Sequence, residues 1–448
     1  MQQPTPRIGF VPVARTTFDM ALAEEVTRLA HQQLAAAGFH VVGPAEPVTT
    51  ADAAQSLLHY LDNDNMLDAV VLLQATFADS GIALEVGRAL AVPLLLWAVP
   101  EEHTGGRLRL NSLCGINLAA HALRRAGRRY YHIFAAPGDA AVTRRLDALA
   151  RAAQARRMLR GMRVGRLGER PGGFETCDYD QDVLREHFGL EVVPIALGEA
   201  FGAARGVDSA EVAVVRAKLA QQVAELDSVD RKAADGTLGV YWALKRFAAR
   251  DNLQGLAVRC WPEFFTELGC AACGALSLLT DDQIPCSCEA DVNGTITQII
   301  LQGVSGEPSF GTDLVSLDSE RDALVLWHCG LAPLSMADPE VIPTATVHSN
   351  RRLPLLMQFP LKPGTVTVAR LSAATGNLRL VVGRGEMLRA PMSFSGTSGL
   401  VRFERPAAAV LDTILSEGLE HHVALTYGDH IDALLALADL LNLPALRL

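Results

Sequence analysis

The first 150 residues alternate short apolar runs with stretches of helical apolar spacing, and this alternation restricts the fold more than any other feature. Strands are expected at Arg7–Val13, Phe39–Gly43, Leu67–Gln74, Pro93–Val99 and Tyr130–Ala136, with an amphipathic helix from Phe18 to Ala37. Between the second and third strands Ala54, Leu57, Leu58 and Leu61 recur on one helical face. Strand and helix in strict turn imply a parallel sheet covered on both faces.

A chain of 448 residues is too long for one ordinary core. A long Arg- and Ala-rich helix, Ala140 to Arg160, leads into a second series: a strand at Met162–Gly168, a loop with Pro171-Gly-Gly-Phe, a helix ending at Phe188-Gly and a strand at Leu190–Ile195. Helices near Ser209–Leu226 and Asp230–Arg250 then precede a strand at Leu256–Trp261. Beyond about residue 300 the texture changes to short strands broken by Gly, Pro and Ser: Asp322–Trp327, Leu355–Phe359, Thr365–Leu371, Leu378–Val382 and Val423–Tyr427. A terminal helix carries Ile431, Leu434, Leu435, Ala438 and Leu441 on one face. The expected layout is two parallel-sheet α/β domains, 1–157 and 158–300, followed by a β-rich, antiparallel carboxy-terminal domain, 301–448.

Several function classes are disfavoured. No apolar run of about 20 residues could span a bilayer, and the amino terminus has no basic segment followed by a long apolar stretch, so a cytoplasmic protein without a membrane partner is expected. A net charge of -10 argues against nucleic acid; the basic group Arg124, Arg125, Arg128 and Arg129 reads as a solvated helix face. The turn after the first strand, Pro12-Val-Ala-Arg-Thr-Thr, lacks the glycines that let a backbone approach pyrophosphate. Eight cysteines in so long a chain do not suggest a disulfide scaffold. Cys270, Cys273, Cys286 and Cys288 have spacing that could close a zinc site, but their apolar neighbours favour small core residues.

The residues that suggest chemistry stand at the ends of apolar runs. Glu289 and Asp291, two apart, would share one face of a strand, a costly arrangement unless a cation or donors meet them; a helix cap reads equally well for Asp291. Glu263 follows Pro262 and is either a first-turn helix acid or a ligand. His421 and His422 precede an apolar strand, and His328 ends another. Two carboxylates with an imidazole suit a hard divalent ion such as Mn²⁺ or Mg²⁺.

These residues in this order resemble the L-fucose and L-arabinose isomerase superfamily. The resemblance is carried by Leu94-Leu-Leu-Trp-Ala-Val-Pro-Glu, Asn111-Ser-Leu-Cys-Gly, Cys288-Glu-Ala-Asp-Val-Asn-Gly, Trp327-His-Cys-Gly and His422-Val-Ala-Leu-Thr-Tyr-Gly. It implies a flavodoxin-like first domain and a metal-dependent aldose–ketose isomerase acting on an open-chain monosaccharide through a cis-enediol. By that resemblance Glu263, Asp291 and His422 would hold Mn²⁺ (or Mg²⁺ or Co²⁺), with Glu263 and Asp291 also moving the proton. Glu289 and His328 would support or touch the substrate. A homo-oligomer, trimer or hexamer, is implied, with Asn111 and Arg15 facing a neighbour's cleft. Two alternatives are a non-catalytic sugar-binding protein on the same fold and a structural zinc protein.

Overall fold

The computed structural model describes residues 3–64 and 66–448. The chain divides into two compact units, one closing at Ala155 and one formed by Arg156–Leu448.

In the first unit β1 (Arg7–Val13), β2 (His40–Val42), β3 (Ala69–Gln74), β4 (Leu94–Ala98) and β5 (Tyr131–Phe134) form one parallel sheet in the order β2-β1-β3-β4-β5. This is the flavodoxin-like winding. Every residue of β3 and of β4 is buried, as continuous apolar strands require when helices cover both faces. Asp19 and Thr50 start the helices Met20–Ala36 and Ala51–Asp62 by accepting hydrogen bonds from Leu22 N and Ala53 N. Exposed Arg15 follows β1, and Asn111 precedes the helix Ser112–Arg125 that follows β4.

The second unit holds two sheets. β6 (Arg163–Leu167), β7 (Glu191–Ile195), β8 (Gly255–Val258) and β9 (Cys286–Ser287) are parallel in the order β7-β6-β8-β9. The remaining strands are β10 (Phe310–Asp318), β11 (Ala323–His328), β12 (Thr344–Thr346), β13 (Leu356–Pro360), β14 (Gly364–Ser372), β15 (Arg379–Leu388), β16 (Thr397–Phe403), β17 (His422–Tyr427) and β18 (Ala445–Arg447). Six of them pair antiparallel in a closed ring, β10-β11-β16-β15-β14-β17 and back to β10. A closed ring leaves none of these strands with an open edge. β13 and β18 join the ring in parallel, on β16 and β15, so the unit is mixed and not purely antiparallel as expected.

One continuous core underlies both sheets: Leu167, Leu256 and Val258 of the parallel sheet belong to the same buried cluster as Phe310, Leu326, Val368 and Leu425 of the ring. Burial on this scale, at roughly 25 cal/mol per Å² of apolar surface, fixes sheet and ring against each other. No described helix is long and apolar enough to cross a membrane.

The expected strand through Glu289 and Asp291 does not form. β9 stops at Ser287, and Glu289 and Ala290 are left-handed, with φ of 58° and 56°. The chain then enters the helix Val292–Ser305, which Asp291 caps by accepting from Gly294 N at 2.8 Å. Competition between the short β9 and a strong N-cap is settled in favour of the cap.

Candidate active site

Segments that follow the carboxyl ends of β8 and β9 meet one end of the six-stranded ring, the side of a parallel sheet where ligands collect. A cavity of about 220 Å³ lies there, lined by Trp261, Glu289, Asp313, His328, Arg351 and His422 among others. It is smaller than the roughly 300–1,000 Å³ of sites for drug-sized ligands and suits a monosaccharide.

Ring register brings the polar groups together. Asp313 of β10 stands directly opposite His422 of β17 and Trp327 of β11, one residue before His328. Arg370 of β14 is 1% exposed and Asp291 0% exposed, and the two form a bidentate pair, with Nη1 to Oδ2 at 2.6 Å and Nη2 to Oδ1 at 3.1 Å. Burial alone would raise the Asp291 carboxyl, but Arg370 and His422 overcome it and hold it well below the usual carboxylate range. Asp291 is therefore ionised and can only accept.

That fixes His422. Its Nδ1 lies 2.9 Å from Asp291 Oδ2 and must carry the proton. In the neutral ring Nε2 then keeps the lone pair, and it lies 3.3 Å from Asp313 Oδ1 and 3.7 Å from Glu289 Oε2. Asp313 Oδ1 is buried without a hydrogen-bond partner. A buried orphan oxygen beside an imidazole lone pair and a second carboxylate fits a cation.

Glu289 is braced by Trp261 Nε1–H at 3.0 Å on Oε1 and by His421 Nε2 at 3.2 Å on Oε2. Burial would raise its carboxyl, yet His421, His422 and the Trp261 indole keep it below its ordinary value. Thr176 Oγ1 holds the other side of His421, 2.7 Å from Nδ1. His328 accepts the Cys329 N–H at Nδ1, 2.9 Å, so its neutral ring presents Nε2–H as a donor.

The groups whose ligand atoms converge are Cys177, Glu289, His421 and His422, and Asp313, His328 and His422. Of the residues expected from sequence, Glu289, His328 and His422 are brought together at the cavity, and Asp291 stands behind His422. Glu263 is not brought to it. Its carboxylate pairs with Arg259 Nε at 2.8 Å, lowering its proton affinity, and it neither lines the cavity nor joins either converging group. Arg15 and Asn111 lie on the first unit. Asp313, Arg370, Trp261 and His421 take part without having been singled out as site residues; of these only His421, next to His422, had a local signal.

The zinc arrangement does not form. Cys260 and Cys288 are joined in a disulfide, Cys273 Sγ sits 3.2 Å from Cys329 Sγ, and burial raises the Cys270 thiol to about 12. Among the described residues, no converging ligand group contains any two of Cys270, Cys273, Cys286 and Cys288.

Comparison with known proteins finds the fucose/sulfoquinovose isomerase amino-terminal domain over residues 9–163 and the L-fucose isomerase carboxy-terminal domain over residues 358–447. The chain is 33% identical over 443 residues to a sulfoquinovose isomerase of Alkalicoccus urumqiensis, covering 98% of each chain. It is 33% identical over 437 residues to that of Priestia aryabhattai, 97% of each, and 32% identical over 444 residues to that of Clostridium sp. (strain MSTE9), 98% of each.

Proposed function

Because the chain belongs to the fucose isomerase-like superfamily and is an aldose–ketose sugar isomerase, we propose that it interconverts sulfoquinovose and its ketose in the cavity between parallel sheet and ring. The observation that carries this reading is His422 Nε2 at that cavity with a carboxylate oxygen on either hand, Asp313 Oδ1 at 3.3 Å and Glu289 Oε2 at 3.7 Å.

Aldose–ketose conversion moves one proton between C2 and C1 of the open-chain sugar and a second between O2 and O1, through a cis-enediol, and needs one base able to reach both carbons. Glu289 is ionised, faces the cavity and is held at both oxygens, so it can take the proton from one carbon and return it to the other without leaving its place. His328 presents Nε2–H and assists by donating to a sugar oxygen. His422 Nε2, Asp313 and Glu289 would hold Mn²⁺, and a divalent ion there would stabilise negative charge developing on the sugar oxygens. Asp291 is a positioning residue: it fixes the His422 tautomer and ring, while Arg370 neutralises its charge. The same reading includes a homo-oligomer in which Asn111 and Arg15 approach another copy's cavity.

The test pairs two conservative variants. Glu289→Gln should lower sulfoquinovose turnover by about 10²-fold or more, within the range that positioned proton transfer contributes. Glu263→Gln should stay within a few-fold of the parent. Reversed effects in a steady-state assay would sink the assignment.

A further inference from the structure

The cavity lining also contains an arrangement that the proton transfer does not use. Among the described residues Arg351 is the only lysine or arginine lining the cavity, and no carboxylate forms an ion pair with it. Its guanidinium lies over the Trp261 ring at 4.8 Å and the Phe265 ring at 5.2 Å. Stacking uses the faces of that planar group and leaves its N–H edge free to donate.

His348 meets that edge. It is buried, 6% exposed, and its ring packs edge-on against Phe265 with centroids 5.2 Å apart. Its Nδ1 accepts the backbone N–H groups of Asn350 at 3.2 Å and Arg351 at 3.3 Å. A nitrogen that accepts two N–H groups carries no proton, so neutral His348 has its proton on Nε2. Nε2 lies 3.3 Å from Arg351 Nη1, and arginine has no acceptor. Two donor groups therefore stand 3.3 Å apart, and neither can satisfy the other. What satisfies both is an oxyanion, accepting a charge-assisted bond from the guanidinium and a second from the imidazole.

We infer that His348 and Arg351 form the receptor for an anionic group at the far end of the substrate, a sulfonate or a phosphate, and set the preference for an anionic over a neutral sugar. The inference rests on the proposed isomerase reading for what the anion is attached to. Trp261 connects the two ends of the site: its indole N–H holds Glu289 and its face carries Arg351. An open-chain sugar whose terminal anion docks on His348 and Arg351 would thus extend across the indole toward the carboxylates.

The decisive measurement is the ratio of kcat/KM for sulfoquinovose to kcat/KM for quinovose, its neutral 6-deoxy counterpart. In Arg351→Met this ratio should fall roughly 30-fold or more, the loss expected when a charge-assisted bond goes. Arg352→Ala, at the exposed next position, should leave it unmoved. A ratio unchanged in Arg351→Met overturns the inference. Calorimetric titration of the wild-type protein needs no turnover and no variant: methanesulfonate should bind and uncharged dimethyl sulfone should not, and equal behaviour of the two also overturns it. Inorganic phosphate in place of methanesulfonate tells which anion is preferred. Should the protein turn over no sugar yet bind methanesulfonate, the isomerase reading fails and the anion receptor stands.

Discussion

Asp291 is a fully buried carboxylate that stands behind His422 and does not line the cavity. All its acceptor capacity is committed, to Gly294 N, both Arg370 Nη atoms and His422 Nδ1. Replacing it by Asn takes from Arg370, 1% exposed, the one carboxylate hydrogen-bonded to it and leaves Glu420 Oε2, 3.7 Å from Nε and not hydrogen-bonded to it. Breaking a buried pair by removing one member costs about 3–5 kcal/mol. Asp291→Asn should therefore lower the urea midpoint by that free energy with an unchanged denaturant slope. It should also weaken Mn²⁺ binding by about 10–100-fold, the usual cost of losing a partner behind a ligand, without abolishing it. Unfolding curves within 1 kcal/mol of the parent would show that Arg370 finds other compensation. Complete loss of Mn²⁺ in a folded variant would make Asp291 a ligand itself. Read locally, Asp291 is open between helix cap and ligand, and the resemblance assigns it to the metal and to proton transfer; in the structure it caps the helix Val292–Ser305 and stands behind His422. Its cap role is local; its partner Arg370 lies 79 positions away and has no local signature.

The turn from β9 into the helix Val292–Ser305 is the element on which the site depends, and its glycine has a physical reason. A Cβ on Gly294 would lie 2.5 Å from Asp291 Oδ2 and 3.0 Å from Arg370 Nη1. Gly294→Ala improves helix propensity by up to ~1 kcal/mol, but it forces a methyl into a buried ion pair, an overpacking cost of roughly 1–3 kcal/mol. The crowding should win: we expect net destabilisation together with lost turnover, measured by thermal unfolding and steady-state kinetics. A stabilised, fully active Gly294→Ala would refute this account of the turn. The same element explains where reading along the chain ended. Period-two spacing predicted a strand for Cys288–Asp291, whereas left-handed Glu289 and Ala290 turn the chain and aim Glu289 at Trp261 and His421. β3 and β4 of the first unit were legible because each is a continuous apolar run between helices. β10 was not, since its mixture of exposed and buried positions resembles a loop until β11 and β17 pair with it. Asp313, which sits on β10, was missed with its strand.

At the scale of the molecule, the proposed ligands come from two layers of one unit: Glu289 from the turn that follows β9 of the parallel sheet, Asp313 and His422 from the ring. These layers already share a core, so a cation held by all three residues would tie together surfaces that separate when the unit unfolds. Ligand at about 100 times its dissociation constant stabilises the folded state by ~2.7 kcal/mol, a factor of roughly 100 in the opening equilibrium. Amides of the second unit that exchange only through its global unfolding should therefore slow by about 100-fold when Mn²⁺ is added at that excess. Residues of the first unit contribute no proposed ligand, and their exchange should not change. A His422→Ala protein should show no slowing in either unit, because the lone pair facing Asp313 and Glu289 is gone. Slowing confined to the ring, with the turn after β9 unaffected, would remove Glu289 from the ligand set and leave it to proton transfer alone.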